Sequence, residues 1–214
     1  MLLLIRCLLS YCLTGFSILA AALQAFPFQG LFLLYLKHYQ DKPFTQTNIN
    51  TYPIAVQAVG IVSEIVTSWY LDKTGHRTRT GLVICFIQIV CAAILLVPNV
   101  PYAAAFFAFY TSGSSYAITP LLYGWGNIIC IRAGDDAQRA VVIAAMVTGG
   151  QLLWTWWGIV IYPATDAPYW KKGSIAMICG SVLLGGYLFV VRWVSSYMSS
   201  EGAHPGCAYE IIKH

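Results

Sequence analysis

The chain has 214 residues, of which 58% are hydrophobic and 9% carry a formal charge, where a soluble domain has roughly a quarter charged. Twelve basic and eight acidic side chains cannot clothe a water-facing surface of that size, and a mean hydropathy of +0.68 excludes a water-soluble globule. The net charge of +4 is spread thinly between apolar runs rather than gathered on one face. That excludes a nucleic-acid binder and leaves the lipid bilayer as the natural medium.

A spanning helix needs about 20 apolar residues, and the uncharged runs of this chain are Cys7 to Leu36, Pro43 to Ser63, Thr80 to Ile131, Ala140 to Thr165 and Gly173 to Val191. They predict six helices, over 13–36, 51–71, 81–97, 102–129, 137–161 and 173–194. The first carries Gln24, Pro27 and Gln29. Met1 to Ala25 also has the form of a signal peptide with Ala20-Ala21-Ala22 near a cleavage position. The uncharged run continues to Leu36, however, which favours a span.

The second span carries Gln57 and Glu64. Glu64 lies eight residues before Asp72, about 12 Å along a helix at 1.5 Å per residue. A carboxylate at that depth is costly unless it is protonated, paired or facing a polar cavity, so Glu64 is a candidate for proton coupling or substrate contact. A neutral Glu64, or one on a tilted helix reaching the cytosolic interface, is the other reading.

The second and third spans are joined by Ser68-Trp69-Tyr70-Leu71-Asp72-Lys73-Thr74-Gly75-His76-Arg77. It combines an acidic helix end, a glycine suited to a left-handed turn and basic residues immediately after it. Gln88 lies in the third span, and Pro98-Asn99-Val100-Pro101 signals a tight hairpin to the fourth. Tyr110, Pro120 and Asn127 belong to the fourth.

Asp135 and Asp136 precede the fifth span, where a carboxylate caps free N–H groups and meets the positive end of the helix dipole; a gating role is the alternative. The fifth span carries Gly149-Gly150, Gln151 and Trp154. Tyr162, Tyr169, Trp170 and Trp193 fall at expected interfaces. Residues 198–214 form a polar tail. The polar side chains expected to be buried, Gln24, Gln29, Gln57, Gln88, Tyr110, Asn127, Gln151 and Trp154, either line a pathway or bond helix to helix. Pro27, Pro120 and Gly149-Gly150 are places where spans can bend.

With the N-terminus inside, Arg6, Lys73, Arg77, Arg79, Arg132, Arg139, Arg192 and Lys213 are cytoplasmic, and Lys37, Lys42, Lys171 and Lys172 are outside. That asymmetry places both termini in the cytosol. Seven cysteines without CxxC spacing and four histidines outside the spans give no metal-ligand pattern. No nucleophile constellation or phosphate-binding loop is present either, so neither a metal, a cofactor nor an enzyme activity is expected.

The loop at Asp72, Gly75 and Arg77 resembles the major facilitator signature Gly-x-x-x-Asp-x-x-Gly-Arg-Arg/Lys, with Ser68 at the first glycine and His76 at the first basic position. Pro120-Leu121-Leu122-Tyr123-Gly124-Trp125-Gly126-Asn127, Arg139-Ala140-Val141-Val142 and Tyr162-Pro163-Ala164-Thr165-Asp166-Ala167-Pro168-Tyr169-Trp170-Lys171-Lys172-Gly173 resemble the fungal anion:cation symporter branch of that superfamily, which includes allantoate, nicotinate and pantothenate permeases. Gln138 stands where that branch has an acidic residue, a place Asp135 or Asp136 would have to fill.

The resemblance covers about Gly15 to Tyr197 and corresponds to the C-terminal half of a twelve-helix carrier. It implies an all-α membrane protein equivalent to one six-helix bundle, within 1–197, and proton-coupled uptake of a small carboxylate by alternating access. It also implies a plasma-membrane location and a gating group of Asp72, Gly75, Arg77 and Arg139. A missing N-terminal bundle or a second copy would be the partner. A non-transporting membrane scaffold or regulator is the alternative.

Overall fold

A computed structural model describes residues 15, 20, 30–38, 44–97, 100–133, 136–166 and 169–201. All regular structure among them is helical: α1 (Leu31–His38), α2 (Gln46–Thr74), α3 (Arg77–Leu96), α4 (Tyr102–Ser112), a 3-10 segment (Gly113–Ala117), α5 (Ile118–Ala133), α6 (Asp136–Ile161), a short 3-10 turn (Ala164–Asp166) and α7 (Lys171–Glu201). Gln46–Thr74, Arg77–Leu96, Arg139–Ile161 and Lys171–Trp193 are each long and apolar enough to cross a bilayer. Most of the first expected span, with Gln24, Pro27 and Gln29, lies outside the described residues, as do Pro98, Asn99 and Asp135.

The fourth expected span, 102–129, is not one helix. Ser112, Ser114 and Ser115 flank and follow Gly113 near the middle of that stretch, and serine hydroxyls compete for helical carbonyls. Ser112 Oγ donates to Phe109 O at 2.7 Å. Three residues past the 3-10 segment, Pro120 has no N–H to offer the carbonyl of Tyr116. From a neighbouring helix, the fully buried Gln88 donates its amide to Ser112 O (3.2 Å) and Ser114 Oγ (3.1 Å). Gly149-Gly150, by contrast, sit within the uninterrupted α6.

Helix limits also differ from the hydropathy limits. α2 begins at Gln46 rather than 51, because Thr45 adopts the extended N-cap conformation and Pro53 is accommodated inside the helix. α7 runs to Glu201 rather than 194. Hydropathy locates the apolar stretch, whereas the backbone continues until a cap or turn stops it.

Two packing devices organise the bundle. α3 and α7 pack along Gly81, Ile84, Cys85, Gln88, Cys91 and Ala92 against Met177, Ser181, Leu184, Leu188 and Val191. Small residues there let the backbones approach, which is how membrane helices gain dispersion energy in a medium as apolar as their side chains. The 3-10 segment presses on α2, where a Cβ on Gly113 would stand 2.5 Å from Val56 O and one on Gly60 would stand 2.5 Å from the Tyr116 ring.

At the end of the bundle holding the start of α2 and α4, Phe106 is ringed by Phe32 (4.9 Å), Tyr102 (5.2 Å), Tyr52 (5.6 Å) and Tyr110 (5.9 Å), mostly edge to face. This aromatic group ties α1, α2 and α4 together. α6 packs chiefly on α5 and exposes Val141, Leu152, Trp156 and Ile159. Such surfaces suit hydrocarbon rather than water.

The α6–α7 connection is closed by side chains. Tyr162 is buried, donates its hydroxyl to Gly173 O at 3.1 Å, and lies where a Cβ on residue 173 would be. The Trp170 indole N–H donates to Pro163 O at 3.0 Å. Burial pushes the Tyr162 phenol above its ordinary value. It therefore stays protonated and remains a donor at any physiological pH.

Candidate functional site

A cavity of about 230 Å³ opens between α2, the 3-10 segment, α5 and α6, lined by Glu64, Tyr116, Thr119, Tyr123, Gln151 and Trp154 together with Ala20, Leu122, Val147 and Gly150. Glu64 is ten residues from the C-terminal end of α2 and Gln151 is ten from that of α6, about 15 Å in each case. The cavity therefore lies deep within the spans. Among the described lining residues, Glu64 is the one carboxylate, and no lysine, arginine or histidine accompanies it. The remaining polar groups are neutral hydroxyl, amide and indole side chains able to donate hydrogen bonds.

The backbone explains the gathering. Asn50, Gln57 and Glu64 recur every seven residues and form one stripe along α2. Thr148, Gln151 and Thr155 form a stripe along α6, where the two threonine hydroxyls donate back to Ala144 O (2.9 Å) and Gln151 O (3.0 Å). Back-bonding of this kind makes a hydroxyl tolerable in an apolar medium. The 3-10 segment turns Tyr116 toward α2, where the Gln57 amide donates to its hydroxyl oxygen at 3.3 Å.

Of the residues singled out in the sequence, Glu64, Gln151 and Trp154 share the cavity. Gln57 reaches it only through Tyr116. Asn127 is on α5 away from the lining, half-buried, its side-chain oxygen without a partner among the described residues. Gln24 and Gln29 lie outside the described residues. Tyr116, Thr119 and Tyr123 were not among the site residues expected from sequence; the available signal was the Gly-Ser-Ser cluster and Pro120, which set the local turn.

The α2–α3 connection has the expected geometry. Gly75 has φ +66° and returns its N–H to Leu71 O at 2.8 Å, ending α2 in a left-handed cap. The His76 Nδ1–H donates to Thr74 O at 2.6 Å, and Lys73 lies 4.0 Å over the Trp69 ring. Asp72 is exposed, Arg77 opens α3, and Arg139 pairs with Asp136 at 3.6 Å within α6. Asp136 thus occupies the first turn of α6, where the helix dipole favours it.

Comparison with known proteins places these features in context. The chain is 39% identical over 157 residues to the pantothenate transporter liz1 of Schizosaccharomyces pombe, covering 72% of this chain and 29% of that protein. It is 26% identical over 155 residues to the pantothenate transporter FEN2 of Saccharomyces cerevisiae, covering 72% and 30% respectively. With the MFS transporter PfmaC of Pestalotiopsis fici it shares 32% identity over 141 residues, covering 66% and 26%. The matched region therefore spans less than a third of these relatives' length. No protein-family model matches the chain, and no solved structure matches it significantly. Its apolar helices and its transporter relatives identify it as an integral membrane protein, similar over some seven-tenths of its length to fungal transporters.

Proposed function

We propose that this chain supplies one six-helix bundle, the C-terminal one, of a major facilitator-type carrier that moves a small carboxylate together with a proton across the plasma membrane. The observation that carries this reading is the cavity in which Glu64 stands with neutral donors and no cation among the described lining residues. An organic anion entering beside an ionised Glu64 meets a like charge in a medium of low dielectric. A proton on Glu64 removes that repulsion, so substrate and proton enter most favourably together. Tyr116 and Tyr123, the other titratable lining groups, are ordinarily neutral at physiological pH.

The cavity is somewhat smaller than the ~300–1,000 Å³ usual for a small-molecule site. Its flanking polar stripes on α2 and α6 supply one wall of a cleft that a second bundle completes. Asp72, Gly75, Arg77 and Arg139 belong to the cytoplasmic end, with both termini on that side, where the exposed Asp72 biases which access state is closed.

The test is uptake of radiolabelled pantothenate in a yeast strain lacking its own permease. The chain alone is expected to give little uptake, and the chain joined in frame behind the preceding part of the S. pombe relative is expected to restore it. Full uptake by the chain alone overturns the single-bundle reading; no uptake by a joined protein that reaches the membrane overturns transport.

A further inference from the structure

We propose that Tyr116 is the residue that presents a hydrogen-bond donor to the substrate carboxyl group, with Gln57 setting it in that role; the proposal rests on the reading of the cavity as the substrate site. The ring of Tyr116 packs against Gly60 of α2, where a Cβ would stand 2.5 Å from Cδ2 and 3.2 Å from Cε2. Gly60 is three residues after Gln57 and four before Glu64, so the ring is seated between them along α2.

The Gln57 side-chain N–H can only donate, and it donates to the Tyr116 oxygen at 3.3 Å. That leaves the phenolic hydrogen for an acceptor elsewhere, and the phenol lines the cavity. An ionised Glu64 competes for this hydrogen; a protonated one has its own to give. Substrate carboxylate therefore gains the Tyr116 donor in the state in which Glu64 carries its proton. A carboxylate accepts a shorter bond, roughly twice as strong as a neutral oxygen does, so the hydroxyl selects an acid over the corresponding alcohol.

The experiment measures binding of radiolabelled pantothenate to membranes of the permease-lacking yeast strain containing the full 214-residue chain joined behind the preceding part of the S. pombe relative, competed with unlabelled pantothenate or with its alcohol analogue pantothenol. Tyr116→Phe keeps the ring on Gly60 and removes only the hydroxyl. It is expected to weaken pantothenate about tenfold and leave pantothenol unchanged. Gln57→Leu leaves the Tyr116 side chain whole and is expected to give a smaller loss, about threefold, again confined to pantothenate; it decides the matter alone if the phenylalanine variant does not reach the membrane. Wild-type affinity in both variants, or equal losses for acid and alcohol, overturns the proposal and leaves the site reading standing. A joined wild-type carrier that reaches the membrane and binds no pantothenate overturns the site reading and the proposal with it.

Discussion

Two side chains carry much of the polar cost of this bundle, and they do so differently. Gln88 is fully buried in α3 and donates twice to the 3-10 segment, while its own carbonyl oxygen has no partner among the described residues. Gln88→Leu strips the donors from Ser112 and Ser114 but also removes that orphaned oxygen, so the two effects partly offset. A loss of about 1 kcal/mol is expected, near the usual worth of an interhelical hydrogen bond in a membrane protein, read as a lowered unfolding temperature in detergent. Glu64 makes no such hydrogen bond among the described residues, and the role proposed for it is chemical. Its depth was legible in the sequence because a charge inside an uncharged run stands out. Its company was not, because Tyr116 and Tyr123 look like ordinary aromatic residues until the turn that aims them is known.

Elements here are fixed by where backbones can touch. A Cβ on Gly113 meets a backbone carbonyl, Val56 O at 2.5 Å, whereas one on Gly124 meets nothing within 4 Å. Gly113→Ala should therefore cost about 1–3 kcal/mol through forced separation of α2 and the 3-10 segment, while Gly124→Ala is neutral or better because alanine favours the helix. Equal unfolding temperatures for the two variants would contradict this packing. At the α6–α7 turn, Tyr162→Phe removes a buried bond to Gly173 O and should cost about 1 kcal/mol, measured the same way. The raised phenol pKa gives the sign of its pH dependence: the bond is fully present below the ordinary tyrosine value and is lost only as strong alkali ionises the folded phenol. Hydropathy found α2, α3, α6 and α7, since each is one apolar run. It overran the 3-10 segment because an averaged window hides three serines and a glycine, whose effect is directional hydrogen bonding rather than loss of apolarity.

At the scale of the molecule, the scarcity of charge marks helix ends and leaves one carboxylate, Glu64, in a cavity within the membrane. Among the described residues α6 packs chiefly on α5 and brings Gln151 and Trp154 to that cavity; in the proposed carrier this wall faces a second bundle. The proposed coupling of anion to proton follows from this asymmetry, because the described cavity offers the anion donors but no positive charge. The direct measurement is pantothenate uptake by the joined carrier from about pH 5 to about pH 8, with Glu64 and with Glu64→Gln. Uptake that falls with rising pH in the wild type and becomes flat or absent in the glutamine variant is the predicted result. The same pH profile in both would contradict a role for Glu64 in coupling.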